Sequence, residues 1–281
     1  MTINFTMLAQ NSTHDYVKQA YLCALSIRAT NPDSKICLIT NNTLDEKTVS
    51  VFDDIVEIPW EDSAEDSNWK IENRWKIYHA CPYDRTIILD TDVLVLDNIE
   101  LWWNYLKNHK VFFTTNVLTY RGNPVTSVYY RKAFRNHMLP NVYAGFNYFE
   151  RSDEAHTFYK WLEFVMNNWE LFYGQYAGGK HFQKFPSVDV SAAIVTKILN
   201  CEDKITNKNI SYPNFVHMKT RNQEWKSTFS ERWQDRVGVY LDKELNLKIG
   251  NYKQNGIFHY TEKDFVTDDI IEIYESYLNN E

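Results

Sequence analysis

Two aspartates one residue apart, in Asp90-Thr91-Asp92, come directly after one aliphatic run and directly before another. The first run predicts a buried strand that ends at these carboxylates. Removing a carboxylate from water costs several kcal/mol unless the group is paired or binds a metal. A hard divalent cation prefers such oxygen ligands and often links them to a substrate phosphate. The pattern therefore favours a cation site, and a solvated turn at the end of a strand is the alternative interpretation.

The elements before this motif alternate between strand and helix. Apolar residues recur at helical spacing from Tyr16 to Ile27, and Asn31-Pro32 ends that helix. Further strands are predicted at 3–9, 35–40 and 54–58, and further helices at 44–52 and about 69–80. This order predicts an α/β, Rossmann-like domain with a mostly parallel central sheet, whose ligands bind at the carboxyl ends of the strands. Asn11 and Asp90-Thr91-Asp92 would then meet at one edge of the sheet.

The pattern loosens after Trp103. We predict strands at 111–115 and 142–149, a loop at 120–130, and helices at 152–167, at 190–199 and from Thr267 or Asp268 to Leu278. Gly174, Gly178 and Gly179 predict a flexible segment that could serve as a lid. No internal repeat interrupts this order, so we expect one domain over 1–281 with a variable second half.

Composition narrows the class of protein. The chain has 281 residues, 44% hydrophobic residues and a formal net charge of −7, which argues against a nonspecific polyanion binder. No apolar run approaches the roughly 18 residues of a membrane helix, and four scattered cysteines suggest a reducing compartment. We therefore expect a cytoplasmic protein without a membrane partner, as a monomer or homodimer.

Four features in this order resemble the nucleotide-sugar glycosyltransferases of the GT-A fold, closest to the glycogenin-like retaining group. They are the N-terminal strand and helix, the Asp90-Thr91-Asp92 motif, the stretch Ala144-Gly145-Phe146-Asn147 before a helix, and the late His259. The resemblance spans nearly the whole chain. It implies a nucleotide-sugar-binding half at 1–103, an acceptor-side half at 104–281, and a hexosyl- or pentosyltransferase activity.

The resemblance also implies a metal and a donor. Asp90 and Asp92 would hold Mn²⁺ or Mg²⁺ against the diphosphate of a UDP-sugar, with Thr91 between them and His259 completing the metal shell. Without the motif order, a lone histidine beside aromatic residues is more often an ordinary packed side chain. The family's usual late motif, His-x-x-Gly-x-x-Lys, is altered here to His259-Tyr-Thr-Glu-Lys263. Lys263 is a candidate phosphate contact, and an exposed lysine is the alternative.

Further donor contacts are expected by position in the family. Asp189, in Ser187-Val-Asp189, would contact the sugar near its anomeric carbon, and a helix N-cap is the alternative role. Arg74 would lie over the phosphates or beside Asp189, unless it belongs to a solvated helix face. Asn11 and Tyr16 are expected to contact uracil or ribose.

The acceptor side contains a stretch without acidic residues, Lys110–Phe149, in which aromatic and basic residues are interleaved. Arg121, Tyr130, Arg131 and Gly145 are the expected acceptor contacts. Aromatic faces suit a saccharide, so a saccharide or protein hydroxyl is one acceptor hypothesis. Arginine alternating with aromatic residues also suits nucleic acid, so a hydroxymethylated base in DNA is the other acceptor hypothesis. A nucleotide-sugar-binding module without turnover is the non-enzyme alternative.

Overall fold

The computed structural model describes residues 2–68, 70–126, 131–178, 183–208, 210–219 and 232–280. Its first half alternates strand and helix as the apolar patterns predict. The elements are β1 (Asn4–Leu8), α1 (Tyr16–Thr30), β2 (Lys35–Ile39), α2 (Glu46–Val49), β3 (Asp54–Val56), α3 (Ile77–Ala80), β4 (Arg85–Leu89), β5 (Val93–Val95) and α4 (Glu100–Leu106).

The second half begins with strands and continues with a group of helices. Its elements are β6 (Val111–Thr114), β7 (Val117–Leu118), α5 (Lys132–Asn136), β8 (Tyr143–Glu150), α6 (Asp153–Asn167), α7 (Trp169–Ala177), α8 (Val188–Ile198), α9 (Glu202–Ile205), β9 (Phe215–His217), β10 (Val239–Leu241), β11 (Leu247–Ile249), β12 (Tyr252–Lys253), β13 (Ile257–His259) and α10 (Asp268–Asn279). Short 3-10 turns lie at Arg74–Lys76, Trp233–Asp235 and Lys263–Phe265.

The central sheet has six strands in the order β3-β2-β1-β4-β8-β6. Strands β1 to β4 are parallel to one another, and β8 runs antiparallel to both of its neighbours. The predicted mostly parallel sheet is therefore confirmed. Because their directions agree, β1, β2 and β4 all end at the same edge, where Asp90 follows β4.

Strand β2 shows why this sheet is buried on both faces. Its four residues Ile36 to Ile39 have no solvent-exposed surface, and alternate residues enter two different apolar clusters. Cys37 and Ile39 pack into the cluster that includes α6 and α8, whereas Ile36 and Leu38 pack into the one that includes α1. A continuous aliphatic run is what a strand covered on both faces requires.

A second sheet, in the order β5-β13-β9-β7, extends the edge beyond Asp92. Strand β13 is antiparallel to β5, with His259 opposite Val93. A hairpin-like third sheet, β10-β11-β12, lies between β9 and β13 in the chain. The pairing of β13 with β5 places His259 next to the residues that follow β4.

Two predicted elements differ most in the structure, and the helix predicted at 44–52 is shorter, at Glu46–Val49. The helix predicted at about 69–80 begins with the 3-10 turn at Arg74 and continues as α3 from Ile77, and Trp69 lies outside the described residues. Asn73, which precedes the turn, donates to Asp62, as does Gln10. Gly174 lies inside α7 rather than in a flexible segment, since Trp169, Phe172 and Tyr173 anchor that helix in the core. Gly179 is outside the described residues. Within the described part of the chain, no helix is long and apolar enough to cross a membrane.

Candidate active site

Three side chains of metal-ligand type meet beyond the end of β4. Asp90 follows β4 directly, Asp92 immediately precedes β5, and His259 ends β13. The antiparallel register that sets His259 opposite Val93 brings the imidazole beside both carboxylates. One ligand atom from each residue lies within 4.8 Å of the others. The pairing of β5 with β13 therefore assembles a group whose members are far apart in the chain.

The surroundings of this group fit a divalent cation. Two carboxylates and one imidazole form an oxygen and nitrogen donor set suitable for Mn²⁺, and the oxygens also suit Mg²⁺. The Nδ1 atom of His259 is buried and has no hydrogen-bond partner among the described residues. A Cβ atom placed on Gly145 would lie 3.2 Å from Asp90 Oδ2 and 3.2 Å from His259 Nδ1. Glycine at this position therefore keeps open a space that any side chain would reduce.

Asp92 is the most buried carboxylate of the group. Lys263 Nζ donates to its Oδ2 at 2.7 Å, and His259 Nε2 lies 3.0 Å from its Oδ1. Burial by itself would raise the pKa of Asp92, but His259 and Lys263 outweigh it and hold that pKa well below its usual value. The carboxylate is therefore ionised at neutral pH despite its burial.

Asp90 is half-buried and has its own cation. Arg74, in the 3-10 turn before α3, pairs with Asp90 Oδ1. The amide of Asp90 donates to Gly145 O at 3.1 Å, which continues the pairing of β4 with β8. Each carboxylate thus has a positive partner of its own, as ionised groups removed from water require.

Asp189 lies across Gly145 from this group. It is the second residue of α8, whose N-cap is Ser187, so its N-cap interpretation is wrong. Its Oδ1 accepts from the amide of Ala144 at 2.8 Å, and its Oδ2 pairs with Arg131. The short backbone segment Ala144-Gly145 therefore connects Asp189 with the three ligand-type side chains.

Arg131 is buried, which corrects its interpretation as an acceptor contact. It is 4% exposed, and its guanidinium lies 3.7 Å and 4.0 Å from the ring centroids of Phe134 and Tyr143. Besides Asp189, it donates to Asn141 Oδ1 at 2.8 Å and to Val142 O. Arg131 and the rings of Phe134 and Tyr143 therefore form part of the interior behind Asp189.

The other predicted acceptor contacts have different surroundings. Arg121 is exposed and lies over the rings of Tyr120 and Tyr252. Gly145 faces Asp90 and His259, as described above. Tyr130 lies outside the described residues.

A cavity of about 620 Å³ opens beside the carboxylates and has the size of a small-ligand site. Seven of the residues chosen from the sequence line it: Tyr16, Arg74, Asp90, Thr91, Asp92, His259 and Lys263. Asn11 does not line it, since its side chain accepts from the amide of Val17 at the start of α1. Lys263 Nζ lies 5.1 Å from the ring centroid of Tyr16.

The sequence analysis did not identify several polar residues of this region. Gln10, Lys70 and Lys219 line the cavity, and the His217 ring stacks on the His259 ring with centroids 4.6 Å apart. Burial, then His259, lowers the pKa of His217 well below its usual value, so His217 is neutral at neutral pH. Polar residues at or just past a buried strand, as in His217-Met218-Lys219, are the signal that could have identified His217 and Lys219.

Comparison with known proteins supports this architecture. No protein-family model matches the chain, and no curated protein matches it in sequence. A structure of the galactosyltransferase LgtC in complex with donor and acceptor sugar analogs matches with a TM-score of 0.58 and 13% identity, over 98% of this chain and 96% of LgtC. The glycosyltransferase GlyE of Streptococcus pneumoniae TIGR4, in its apo form, matches with a TM-score of 0.52 and 13% identity, over 100% of this chain and 63% of GlyE. At this identity the likeness shows the fold, which is the GT-A glycosyltransferase fold.

Proposed function

We propose that this protein is a metal-dependent glycosyltransferase that moves a sugar from a UDP-sugar to an acceptor hydroxyl. The observation that carries the proposal is the assembly of Asp90, Asp92 and His259 at the wall of a cavity that also contains Arg74 and Lys263. A donor set for a divalent cation and two positively charged side chains meet in one place, as a diphosphate requires. The known structures with this fold support the same class of reaction.

The residues of the cavity have separable roles in this proposal. Asp90, Asp92 and His259 hold Mn²⁺ or Mg²⁺, which when bound neutralises negative charge on the departing diphosphate. Arg74 and Lys263 donate to the phosphate oxygens, and Tyr16 contacts the nucleoside. The altered late motif does not argue against this role of Lys263, because its Nζ already reaches Asp92 Oδ2, a proposed metal ligand, at 2.7 Å.

Asp189 accepts hydrogen bonds from hydroxyls of the donor sugar. Arg131 and the amide of Ala144 fix its orientation from behind, and its carboxylate remains partly exposed. As in the glycogenin-like group, we propose retention of the anomeric configuration by front-face displacement. The bond from the anomeric carbon to the phosphate oxygen breaks as the bond to the acceptor oxygen forms, and the leaving phosphate takes the acceptor's proton.

The acceptor in this proposal is a saccharide or protein hydroxyl. No observation in the described residues favours DNA: Arg131 is buried, and Lys110 pairs with Glu150.

Calorimetric titration of UDP tests the donor site. The wild type is expected to bind UDP with Mn²⁺ and not with EDTA, and Asp92→Asn is expected to lose binding, because the amide removes a charged ligand without changing its shape. Asp33→Asn, at an exposed aspartate, is the matched control. If UDP fails to bind the wild type in the presence of Mn²⁺, the donor assignment is wrong.

Donor turnover separates the enzyme from a binding module. Incubation of UDP-sugars with the wild type and Mn²⁺ is expected to release UDP slowly without an acceptor, since water can replace the acceptor hydroxyl. Binding of a UDP-sugar without release of UDP, in the presence or absence of acceptor sugars, would instead identify a module that has lost turnover.

A further inference from the structure

The 3-10 turn Arg74–Lys76 contributes to two separate cavities. Arg74 lines the cavity beside Asp90, whereas Trp75 and Lys76 line a second one of about 490 Å³. The two cavities share no lining residue. The second cavity has no part in the function proposed above.

One wall of the second cavity is a platform of aromatic rings. The indole of Trp60 stacks on that of Trp75, with centroids 5.5 Å apart and planes 16° from parallel. His79 meets both rings edge-on, at 5.3 Å and 5.8 Å. Trp75 is buried, but Trp60 is 64% exposed. The indole of Trp60 therefore presents a large planar apolar surface to solvent, and its stacking on buried Trp75 fixes its position.

The backbone of Trp60 is also unusual. Its φ is 62°, in the left-handed region that bulky residues rarely adopt and that costs free energy. Such strain persists only where surrounding contacts over-determine the conformation, as the stack on Trp75 does here.

Another part of the lining is one polar face of α6. His156, Lys160, Glu163 and Asn167 follow one another at intervals of four, three and four residues, so they point to the same side of the helix. Together they offer amine, amide and imidazole donors and carboxylate and amide acceptors. The cavity therefore combines a flat aromatic surface with a mixed hydrogen-bonding wall.

The charges of the lining residues cancel. Glu61 and Glu163 oppose Lys76 and Lys160, and Lys76 Nζ already donates to the backbone oxygen of Glu61. Burial, then His156, lowers the pKa of His79, so its ring is neutral at neutral pH. The donor cavity, in contrast, has Arg74 and Lys263 aligned for an anion.

We propose that the second cavity is an accessory binding site for a neutral saccharide. A pyranose has an apolar face of C–H groups that can lie on the indole of Trp60, and a rim of hydroxyls that both donate and accept. Those hydroxyls bond to Lys160, Glu163 and Asn167. An entirely apolar ligand would leave these side chains desolvated without partners, and an anion would face Glu163.

Indole NMR signals provide a test that needs neither nucleotide nor turnover. The chain has nine tryptophans, and the signals of Trp60 and Trp75 can be assigned with Trp60→Phe and Trp75→Phe in ¹⁵N-labelled protein. The probes are maltotriose, cellotriose and N-acetyllactosamine at millimolar concentrations. We expect at least one of them to shift both signals saturably. If none shifts the Trp60 signal, or if UDP with Mn²⁺ shifts it and the saccharides do not, the proposal is overturned.

Two variants locate the binding. Trp60→Ala is expected to weaken binding of the active probe about tenfold or more, followed at the Trp75 signal, because the stacking surface is lost. Glu163→Ala should weaken binding through the loss of hydroxyl hydrogen bonds, independently of the platform. Tyr240→Ala, at an aromatic residue that is 58% exposed on β10, is the matched control and should bind as the wild type does. Unchanged binding in both Trp60→Ala and Glu163→Ala would overturn the proposal.

Discussion

Asp92 and Asp189 are both paired with a cation, but the two pairs face opposite ways. At Asp92 the carboxylate is the buried partner, with 9% of its side chain exposed, and Lys263 lies towards the cavity with 21% exposed. At Asp189 the carboxylate is the accessible partner, with 28% exposed, and Arg131 lies behind it with 5% exposed. Lys263 donates to Asp92 and lies over the Tyr16 ring, whereas Arg131 is held by three hydrogen-bonding partners and two rings.

The difference indicates two uses of an ion pair. A cation in front of a carboxylate neutralises it until a ligand arrives and can then bind that ligand. A cation behind a carboxylate orients it and leaves its oxygens available. We infer that Lys263 exchanges partners during donor binding and that Arg131 does not.

The largest expected effect concerns Arg131. Arg131→Met leaves Asp189 beside a buried apolar side chain and is expected to lower the free energy of unfolding by about 2–4 kcal/mol, because the remaining charge loses its partner. Chemical denaturation at neutral pH measures this change. Arg135→Met, at an exposed position in α5, is the control and should change stability little.

A second substitution separates charge from packing at this pair. Asp189→Asn in the Arg131→Met background removes the unpaired charge and should recover part of the lost stability. A further loss of stability in the double variant would contradict the view of Arg131 as a fixed partner of Asp189.

The next effect concerns Lys263. Lys263→Met should weaken UDP binding in the presence of Mn²⁺ by about 1.5–3 kcal/mol, the usual contribution of a hydrogen bond to a charged group. Mn²⁺ alone should bind this variant at least as tightly as the wild type, because Lys263 no longer competes for Asp92. Calorimetry measures both constants, with Lys248→Met as an exposed control. If Mn²⁺ and UDP weaken together, Lys263 is a fixed partner and the contrast with Arg131 fails.

The smallest effect concerns Gly145, which lies between the two pairs. Gly145→Ala adds a Cβ 3.2 Å from Asp90 Oδ2 and 3.2 Å from His259 Nδ1. Overpacking of this kind typically costs about 1–3 kcal/mol, and here we expect the lower end, as several-fold weaker Mn²⁺ binding. Electron paramagnetic resonance of free Mn²⁺ measures the affinity, and thermal unfolding should show a nearly unchanged midpoint. Unchanged Mn²⁺ binding would place the cation away from Gly145.

Much of the fold follows from local patterns. The aliphatic runs predict β2 and β4, because a strand buried on both faces needs a continuous apolar sequence. The predicted bounds of β1, β2 and β3 differ from the observed ones by at most two residues. The predicted cap of α10 is also confirmed, with Thr267 accepting from the amide of Ile270. The start of the helix before β4 was not predictable, since Gln10 and Asn73 hold Asp62 through contacts that are distant in the chain.

The two carboxylate sites differ in how far the sequence predicts them. The motif order in the sequence predicts a joint role for Asp90, Asp92 and His259, and the structure brings the three together. For Arg131 the sequence predicts a surface position, because arginine among aromatic residues suits a ligand. A planar guanidinium also stacks well inside a protein, so the same local pattern fits a buried and an exposed residue.

The sequence by itself determined the class of the fold, the strand that delivers Asp90 and Asp92, and the chemical types available for a cation and a phosphate. These properties depend on residue type and short-range periodicity. The tertiary structure alone decided that His259 faces Asp92. It also decided that Lys263 lies on the cavity side of Asp92 and that Arg131 lies on the buried side of Asp189. Finally, it decided that Trp60 stacks on Trp75 with its other side exposed to solvent. These depend on strand register and on contacts between distant segments, which local sequence does not encode.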